Sequence, residues 1–222
     1  MSLALIKPME PVSYKEVFDN KSFLYQVKWD GVRMVAYIDS SRVELINKKM
    51  HNRTRQYPEL QKLSQLIKVR NAIIDGEVVI LQDGKPNFPA VMRRDLCQSN
   101  ISIQNLQHQL PIHYMIFDIL HYNHKNLRSL PLEERKNILI NEITYLPDIH
   151  LVEDFEQGSL LFSAIKIQNM EGIVAKKKQS KYISGKNHQE WLKIKYRREQ
   201  FCVVGGYTLR NNKVNSLLLG VY

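Results

Sequence analysis

Short runs of apolar residues, most of them alternating with polar residues, recur along the whole chain. Alternation with a period of two is typical of strands that bury one face. The pattern predicts strands at Leu24–Lys28, Met34–Ile38, Val43–Ile46, Ile73–Leu81, His113–Leu120, Ile173–Lys177, Trp191–Lys195, Phe201–Gly206 and Ser216–Tyr222. Several of these runs follow one another closely, so neighbouring strands are expected to pair in antiparallel fashion.

Helical patterns occupy longer segments between these strands. YPELQKLSQLIKVR, residues 57–70, places one apolar face on Leu60, Leu63, Leu66 and Ile67. In PLEERKNILINEI, Pro131 suits the first turn of a helix. GSLLFSAIKIQNM offers Ser159 as a helix cap, and FPAVMRRDL is a short helix candidate. Strands with irregularly inserted helices predict an α+β fold with largely antiparallel sheets.

The character of the chain changes near Arg197. The basic segment WLKIKYRRE precedes this point, and FCVVGGYTLRNNKVNSLLLGVY follows it with two strand-like runs around a polar loop. Gly205 and Gly206 permit a bulge or a sharp bend. Because a pair of strands is only marginally stable alone in water, we interpret residues 1–197 as one domain and residues 198–222 as the beginning of a second.

The charge balance indicates a polyanionic partner. The 222-residue chain is 44% hydrophobic, enough for a core, and has a net charge of +10. Nucleic acid, a nucleotide or an anionic membrane surface would each explain the excess, and a merely soluble basic protein is the alternative. The chain has no apolar run that could span a membrane and no signal-peptide core. Cys97 and Cys202 are too few for a disulfide framework or zinc site, which favours the reducing cytoplasm.

The stretch KWDGVR, from Lys28 to Arg33, joins two predicted strands. The pair Asp30-Gly31 suits a tight turn, and exposed basic residues often flank such turns, so a plain β-hairpin is one interpretation. The other interpretation is that the charged residues form part of a reactive site. This stretch alone does not distinguish the two.

Other predicted strands carry charged residues at unusual positions. Glu77 lies in the apolar run IIDGEVVIL, where a carboxylate is costly unless it faces a polar site or a cation. WLKIK alternates strictly, so Lys193 and Lys195 share one face while Leu192 and Ile194 share the other. Two neighbouring lysines repel each other unless an anion lies above them, and a phosphate would serve as that anion.

The series KWDGVR, DGEVV, FDIL, EGIVAK and WLKIK resembles, in order and spacing, the motifs of the covalent nucleotidyltransferases. These comprise ATP-dependent DNA ligases, RNA ligases and mRNA capping enzymes. YPEL, RRDL and VVGGYT make the chain most similar to the ligase domain of bacterial end-joining and phage DNA ligases. The resemblance covers nearly the whole chain. It implies an adenylation domain over residues 1–197, with two antiparallel sheets and flanking helices forming a nucleotide cleft, and the first strands of a truncated OB-fold over residues 198–222.

The resemblance implies a reaction in three steps. Lys28 would attack the α-phosphate of ATP, expel pyrophosphate and form lysyl-AMP. The AMP would pass to the 5′-phosphate at a nick in double-stranded DNA, and the 3′-hydroxyl would then displace it. The reaction would need Mg²⁺ or Mn²⁺. The protein would be a cytoplasmic monomer of bacterial or phage origin with no membrane partner, and a DNA end-binding protein is a further candidate partner.

The resemblance also assigns roles to individual residues. Gln26 stands where many DNA ligases carry a glutamate that accepts a hydrogen bond from the adenine amino group, and glutamine keeps a carbonyl acceptor. The other expected nucleotide contacts are Val27 beside it, Arg33 at the ribose or phosphate, Glu77 at the ribose hydroxyls or a metal, Phe117 stacked on adenine, and Lys193 and Lys195 at the α-phosphate. Glu171 is expected to support the metal.

The chain departs from the family pattern at Asn47-Lys48-Lys49-Met50, where relatives often read Ser-Arg-Asn-Gly. Lys48 matches the arginine that contacts the nick phosphate, and it keeps the charge but not the bidentate fork. Met50 replaces a turn glycine. Two alternatives stay open: an RNA ligase or capping enzyme with the same lysine chemistry, and a non-catalytic nucleic-acid-binding relative, against which the intact set of lysines and acids argues.

Overall fold

The computed structural model describes residues 3–39, 42–66, 71–143, 146–197 and 199–221. Its strands are β1 Glu10–Ser13, β2 Phe23–Val27, β3 Val32–Asp39, β4 Arg42–Asn47, β5 Asn71–Val79, β6 Leu81–Gln82, β7 Lys85–Pro86, β8 His113–Tyr122, β9 Lys125–Asn126, β10 Ile149–Leu151, β11 Gly172–Lys177, β12 Asn187–Lys195, β13 Val203–Arg210 and β14 Lys213–Gly220. Its α-helices are α1 Leu63–Leu66, α2 Phe88–Asp95, α3 Asn100–Gln109, α4 Leu132–Glu142 and α5 Gly158–Ile167.

Two main sheets form the body of the fold. The first, which we call sheet A, has the order β1-β12-β11-β2, and the second, sheet B, has the order β10-β8-β5-β3-β4 with β9 beside β8. Most neighbours pair antiparallel, as the sequence predicts. At one edge of each sheet, however, β1 pairs with β12 and β10 pairs with β8 in parallel. The α+β class is therefore confirmed, with parallel pairs at the edges.

Apolar packing holds the two sheets face to face. Val35 and Ile73 of sheet B share one buried cluster with Leu24 and Trp191 of sheet A. On the outer side of sheet A, Ile173 and other apolar residues pack against α5. The larger cluster behind sheet B includes residues from α2, α4 and the segment around residues 57–63. The resulting layers leave the edge between the sheets open to solvent.

The helices differ from prediction in detail. The segment predicted as one helix over residues 57–70 consists of a 3₁₀ turn at Pro58–Lys62 followed by the short α1, and Ile67 lies outside the described residues. Pro131 is the residue before the first turn of α4 rather than within it. Ser159 does not cap α5: the Asp19 carboxylate, from a distant part of the chain, accepts the Ser159 N–H at 3.0 Å.

The last two strands form a hairpin of their own. β13 and β14 pair only with each other among the described strands, around Asn211 and Asn212, which both have positive φ. The register shifts between Val204 and Gly206, so the bulge predicted at the glycine pair is present. Apolar side chains such as Leu218 are exposed on this hairpin.

Candidate active site

A cavity of about 340 Å³ opens between the two sheets. All but one of the residues predicted for the site line it: Gln26, Val27, Lys28, Arg33, Lys48, Glu77, Phe117, Lys193 and Lys195. The remaining one, Glu171, contacts two of these residues directly. Side chains that are spread along the sequence are thus brought together at one place.

KWDGVR is not a hairpin turn. β2 belongs to sheet A and β3 belongs to sheet B, so this stretch carries the chain across the gap between the sheets. The Lys28 N–H donates to Gly172 O at 2.9 Å, which ties the lysine to the end of β11. A Cβ on Gly31 would lie 2.2 Å from Val78 O, so only glycine lets the crossing chain approach β5 this closely.

Glu171 holds two lysine amines of the cavity lining. Its Oε2 lies 2.6 Å from Lys28 Nζ, and its Oε1 lies 2.7 Å from Lys195 Nζ. Burial opposes ionisation of Glu171, but hydrogen bonds from Lys195 and Lys28 outweigh that effect and lower its pKa. The Lys28 amine therefore has a fixed position, with a second cation close by.

Lys193 and Lys195 share a face of β12 as predicted. Both line the cavity, whereas Leu192 and Ile194 pack into the cluster on the other side of sheet A. The strand also brings Trp191 to the inner end of the cavity, where its side chain is 1% exposed. One end of the cavity is consequently cationic, and the other is aromatic.

Arg33 is fixed by a buried acid that sequence reasoning did not select. Asp75 accepts from Arg33 Nε at 3.0 Å and from Arg33 Nη2 at 2.6 Å, and the Tyr182 hydroxyl donates to the same carboxylate at 2.6 Å. Burial lowers the pKa of Arg33, but the charge of Asp75, its hydrogen bonds to the guanidinium and the nearby Tyr182 and Glu77 together raise it by more, so the guanidinium stays charged. It also lies over the Phe117 ring, at 5.1 Å from the centroid. In the sequence, Asp75 looks like half of an Asp-Gly turn pair, so nothing marked it as a partner of Arg33.

Burial raises the pKa of Glu77 to about 8, although the charges of Lys28 and Arg33 oppose the shift. Its carboxyl group forms no ion pair in the described part of the chain. At neutral pH the carboxyl is therefore mostly protonated, and an added cation beside it would favour its ionised form.

Glu77→Gln is expected to stabilise the protein, and by more at pH 8 than at pH 4. The folded-state pKa lies above the ordinary value of 4.5, so each rise in pH between 4.5 and about 8 favours the unfolded chain of the native protein. Glutamine has no such ionisation, and the difference should be on the order of 4 kcal/mol at pH 8. Thermal melts at both pH values measure it, with the exposed Glu156→Gln as the control. An equal difference at pH 4 and pH 8 would contradict the assignment.

Lys176 is a cavity residue that the sequence reasoning left without a role. Its side chain is 3% exposed, and its Nζ has no hydrogen-bond partner in the described structure. The amine lies 4.1 Å from the centroid of the Phe117 ring and 4.3 Å from that of Trp191, and burial lowers its pKa to about 7. Strand alternation could have found it, because Val174 and Lys176 both line the cavity from β11.

Lys48 follows β4, lies at the rim of the cavity and is paired with Glu10 of β1. Its Nζ contacts Glu10 Oε2 at 2.5 Å, and the lysine side chain is 54% exposed. Met50, which stands where relatives carry glycine, has a φ of 64°. That left-handed conformation is the one glycine adopts without strain, so the structure supports the alignment of this loop with the family pattern.

The acids present fit a metal that is shared with a substrate. No group of three or more His, Cys, Asp or Glu side chains in the described ranges could hold an ion alone. Mg²⁺, however, is commonly bound through one or two carboxylates together with substrate phosphates. Glu77 and Glu171 flank Lys28 closely enough for both to interact with its charge, and so they are the two carboxylates that would hold such an ion.

No helix in the part of the chain that the structure describes is long and apolar enough to cross a membrane.

The cleft between two sheets, with a lysine amine held beside an acid and further cations, is the arrangement that the resemblance to covalent nucleotidyltransferases predicts. A model of the ATP-dependent DNA ligase domain matches residues 4–195. The chain belongs to this family, whose members are enzymes of the ligase class.

Individual relatives of the chain are also named as DNA ligases or as DNA ligase-like. The chain is 30% identical over 210 residues to the SPbeta prophage-derived DNA ligase-like protein LigB of Bacillus subtilis, covering 94% of this chain and 74% of the relative. It is 30% identical over 230 residues to DNA ligase C2 of Mycolicibacterium smegmatis, covering 100% of this chain and 64% of that protein. The chain thus spans about two thirds to three quarters of the length of these relatives.

Solved structures share the fold. The ligase domain of LigD from M. tuberculosis matches with a TM-score of 0.72 at 24% identity, over 97% of this chain and 68% of that one. A mycobacterial DNA ligase D complexed with ATP and MES matches with a TM-score of 0.71 at 24% identity, over 97% and 67%. At this identity, the likeness supports the nucleotidyltransferase fold and nothing finer.

Proposed function

We propose that this chain catalyses ATP-dependent nick sealing in double-stranded DNA through a lysyl-AMP intermediate on Lys28. In the first step a bond forms between Lys28 Nζ and the α-phosphorus of ATP, the bond from that phosphorus to the pyrophosphate oxygen breaks, and the amine loses its proton. The AMP then passes to the 5′-phosphate of the nick, and the 3′-hydroxyl displaces it. The observation that carries the proposal is the position of the Lys28 amine inside the cavity, 2.6 Å from Glu171 and beside other cations.

The surrounding charges serve this chemistry. Only a neutral amine attacks phosphorus, so Lys28 must give up its proton as the bond forms. The cations around Lys28 stabilise the charge that develops on the α-phosphate. Lys193 and Lys195 contact that phosphate, and Arg33 holds the ribose or a phosphate in the orientation that Asp75 sets.

The aromatic end of the cavity receives the base. Phe117 stacks on adenine, and Gln26 and Val27 lie at its edge. Glu77 binds the ribose hydroxyls or a metal, and Glu171 supports the metal. Bound Mg²⁺ or Mn²⁺ would neutralise phosphate charge.

DNA binding extends from the rim of the cavity. Lys48→Ala is expected to weaken binding to nicked DNA and to reduce by about one unit the slope of log affinity against log salt, since one phosphate contact is lost. Glu10→Gln should have the opposite effect on affinity, because Glu10 competes with the phosphate for Lys48 Nζ. Fluorescence anisotropy with nicked duplex across a salt series measures both. Equal affinities for the two variants would remove Lys48 from the DNA interface.

We further propose that residues 1–197 form the adenylation domain and that residues 198–222 are the first strands of an OB-fold. The end of the family match at residue 195 and the separate hairpin β13–β14 support this division. We infer that the protein is a cytoplasmic monomer of bacterial or phage origin, with nicked DNA as substrate and a DNA end-binding protein as a candidate partner.

Substrate choice tests the proposal. The protein is incubated with Mg²⁺ and either ATP or GTP, and then with nicked duplexes made of DNA or of RNA. The proposal predicts sealing of nicked DNA with ATP. Sealing confined to RNA would identify an RNA ligase, nucleotide transfer with GTP alone would identify capping-type chemistry, and DNA binding without any covalent adduct would identify a non-catalytic relative.

A further inference from the structure

Gln26 has a hydrogen-bond partner that fixes which way its side-chain amide faces. The residue lines the cavity and is 2% exposed. Its Nε2 donates to Asp154 Oδ1 at 2.7 Å. No donor to Gln26 Oε1 is found among the described residues. The nitrogen of the amide is therefore engaged by the protein, and the oxygen is left for a guest in the cavity.

The chemistry of Asp154 makes this orientation the favoured one. An ionised carboxylate accepts hydrogen bonds and cannot donate one, so a glutamine beside it must present its NH₂ group. Lys136 keeps Asp154 in place: its Nζ lies 2.6 Å from the same Oδ1 and also donates to Val152 O at 3.2 Å. Rotating the Gln26 amide by half a turn would set two oxygens against each other.

Asp154 lies in a segment that connects the two sheets through backbone hydrogen bonds. The Val152 N–H donates to Ile116 O of sheet B at 2.7 Å. Three residues further on, Phe155 forms a two-way backbone bridge with Tyr25 of sheet A, with N–O distances of 2.8 and 2.9 Å. Asp154 is thereby held beside Gln26, although 128 positions separate the two in the sequence.

We propose that Asp154, held by Lys136, is a specificity-determining positioning residue that locks Gln26 with its carbonyl toward the nucleobase. Adenine presents an amino group, which is a donor, where guanine presents an oxygen. A carbonyl fixed in this orientation accepts a hydrogen bond from the adenine amino group and repels the guanine oxygen. An amide that is free to rotate could form a hydrogen bond with either base. The inference rests on the proposed function, because it requires a purine nucleotide in this cavity.

The test compares ATP and GTP in single-turnover adduct formation at saturating Mg²⁺. Asp154→Asn keeps a hydrogen-bonding side chain of the same shape but lets the Gln26 amide take either orientation. We expect the preference for ATP over GTP to fall by about tenfold or more, the equivalent of one favourable hydrogen bond, mainly through faster reaction with GTP. Asp148→Asn is the matched control: it removes the same charge from a carboxylate that pairs with Lys62 outside the cavity, and it should leave the preference unchanged.

A paired variant separates positioning from folding. In Gln26→Glu with Asp154→Asn, the new carboxylate accepts from the asparagine amide and keeps an oxygen toward the base. This variant should recover the preference for ATP, whereas Gln26→Glu alone sets two carboxylates together and should react poorly with both nucleotides. If Asp154→Asn keeps the native preference for ATP over GTP, or if the paired variant does not recover it, Asp154 does not fix the orientation of Gln26. The proposed function would still stand. Absence of any adduct in the native protein overturns both.

Discussion

Lys28→Ala is expected to abolish the covalent nucleotide adduct. The amine is the nucleophile of the proposed reaction, and in the structure it is held by Glu171 at the cavity rather than in a surface turn. Lys28→Arg should fail as well, because a guanidinium stays protonated at any pH the protein tolerates. Radiolabelled ATP measures the adduct, and the exposed Lys181→Ala, whose position lies outside the cavity, is the control.

Retention of a labelled adduct in either Lys28 variant, at a yield close to that of the native protein, would contradict this assignment. Sealing of DNA that already carries AMP on its 5′-phosphate offers a second readout. That step needs no new bond to Lys28, so Lys28→Ala should lose far more in adduct formation than in sealing the adenylated nick.

Arg135→Met is expected to give the largest loss of stability, about 3–5 kcal/mol. Arg135 and Asp118 are both 0% exposed, and Nε and Nη2 of the arginine each contact a different carboxylate oxygen at 2.8 Å. The arginine also donates to Leu130 O and Ser180 O. Removing it leaves a buried carboxylate without its cation. Urea unfolding at pH 7 measures the change in the free energy of unfolding.

The matched control is an exposed ion pair, between Lys177 and Glu190. Lys177→Met removes a lysine whose Nζ lies 3.4 Å from Glu190, with 44% of its side chain exposed, and should cost less than about 1 kcal/mol. Adding Asp118→Leu to Arg135→Met removes the stranded charge and should recover part of the loss. A loss in Arg135→Met no larger than that of Lys177→Met would show that the buried pair does not support the fold.

The strands and three of the cavity residues could be predicted from short local patterns. Glu77 was conspicuous as an acid in an apolar strand, and alternation alone placed Lys193 and Lys195 on one face. The order of the motifs supported the resemblance to a family of enzymes, and that resemblance supplied the other site residues. The cavity gathers them as expected.

The features that were missed depend on partners far away in the sequence. Asp75, Asp154 and Lys136 are ordinary charged residues until the fold brings Asp75 against Arg33, Asp154 against Gln26, and Lys136 against Asp154. Helix α3 was missed because its NISIQNLQHQ sequence buries only Ile103 and Leu106, which is too weak a periodic signal to recognise. The predicted cap of α5 was wrong for a related reason. The carboxylate that accepts the Ser159 N–H belongs to Asp19, which lies 140 positions away in the sequence.

The turn-like sequence KWDGVR shows why a local pattern could not predict the structure at the centre of the site. Asp30-Gly31 suits a hairpin, yet the strands on either side belong to different sheets. Glycine is required at position 31 because of a contact that is distant in the sequence. Gly31 passes so close to Val78 O that no side chain fits there. A local sequence pattern contains no information about that approach.

The central claim is that Lys28 becomes covalently bonded to AMP. The most direct measurement is the intact mass of the native protein after incubation with ATP and Mg²⁺, followed by peptide mapping of the modified species. The account predicts a mass increase of one AMP, located on Lys28 and removed when excess pyrophosphate reverses the reaction. An unchanged mass with both Mg²⁺ and Mn²⁺, or an AMP located on any other residue, would contradict it.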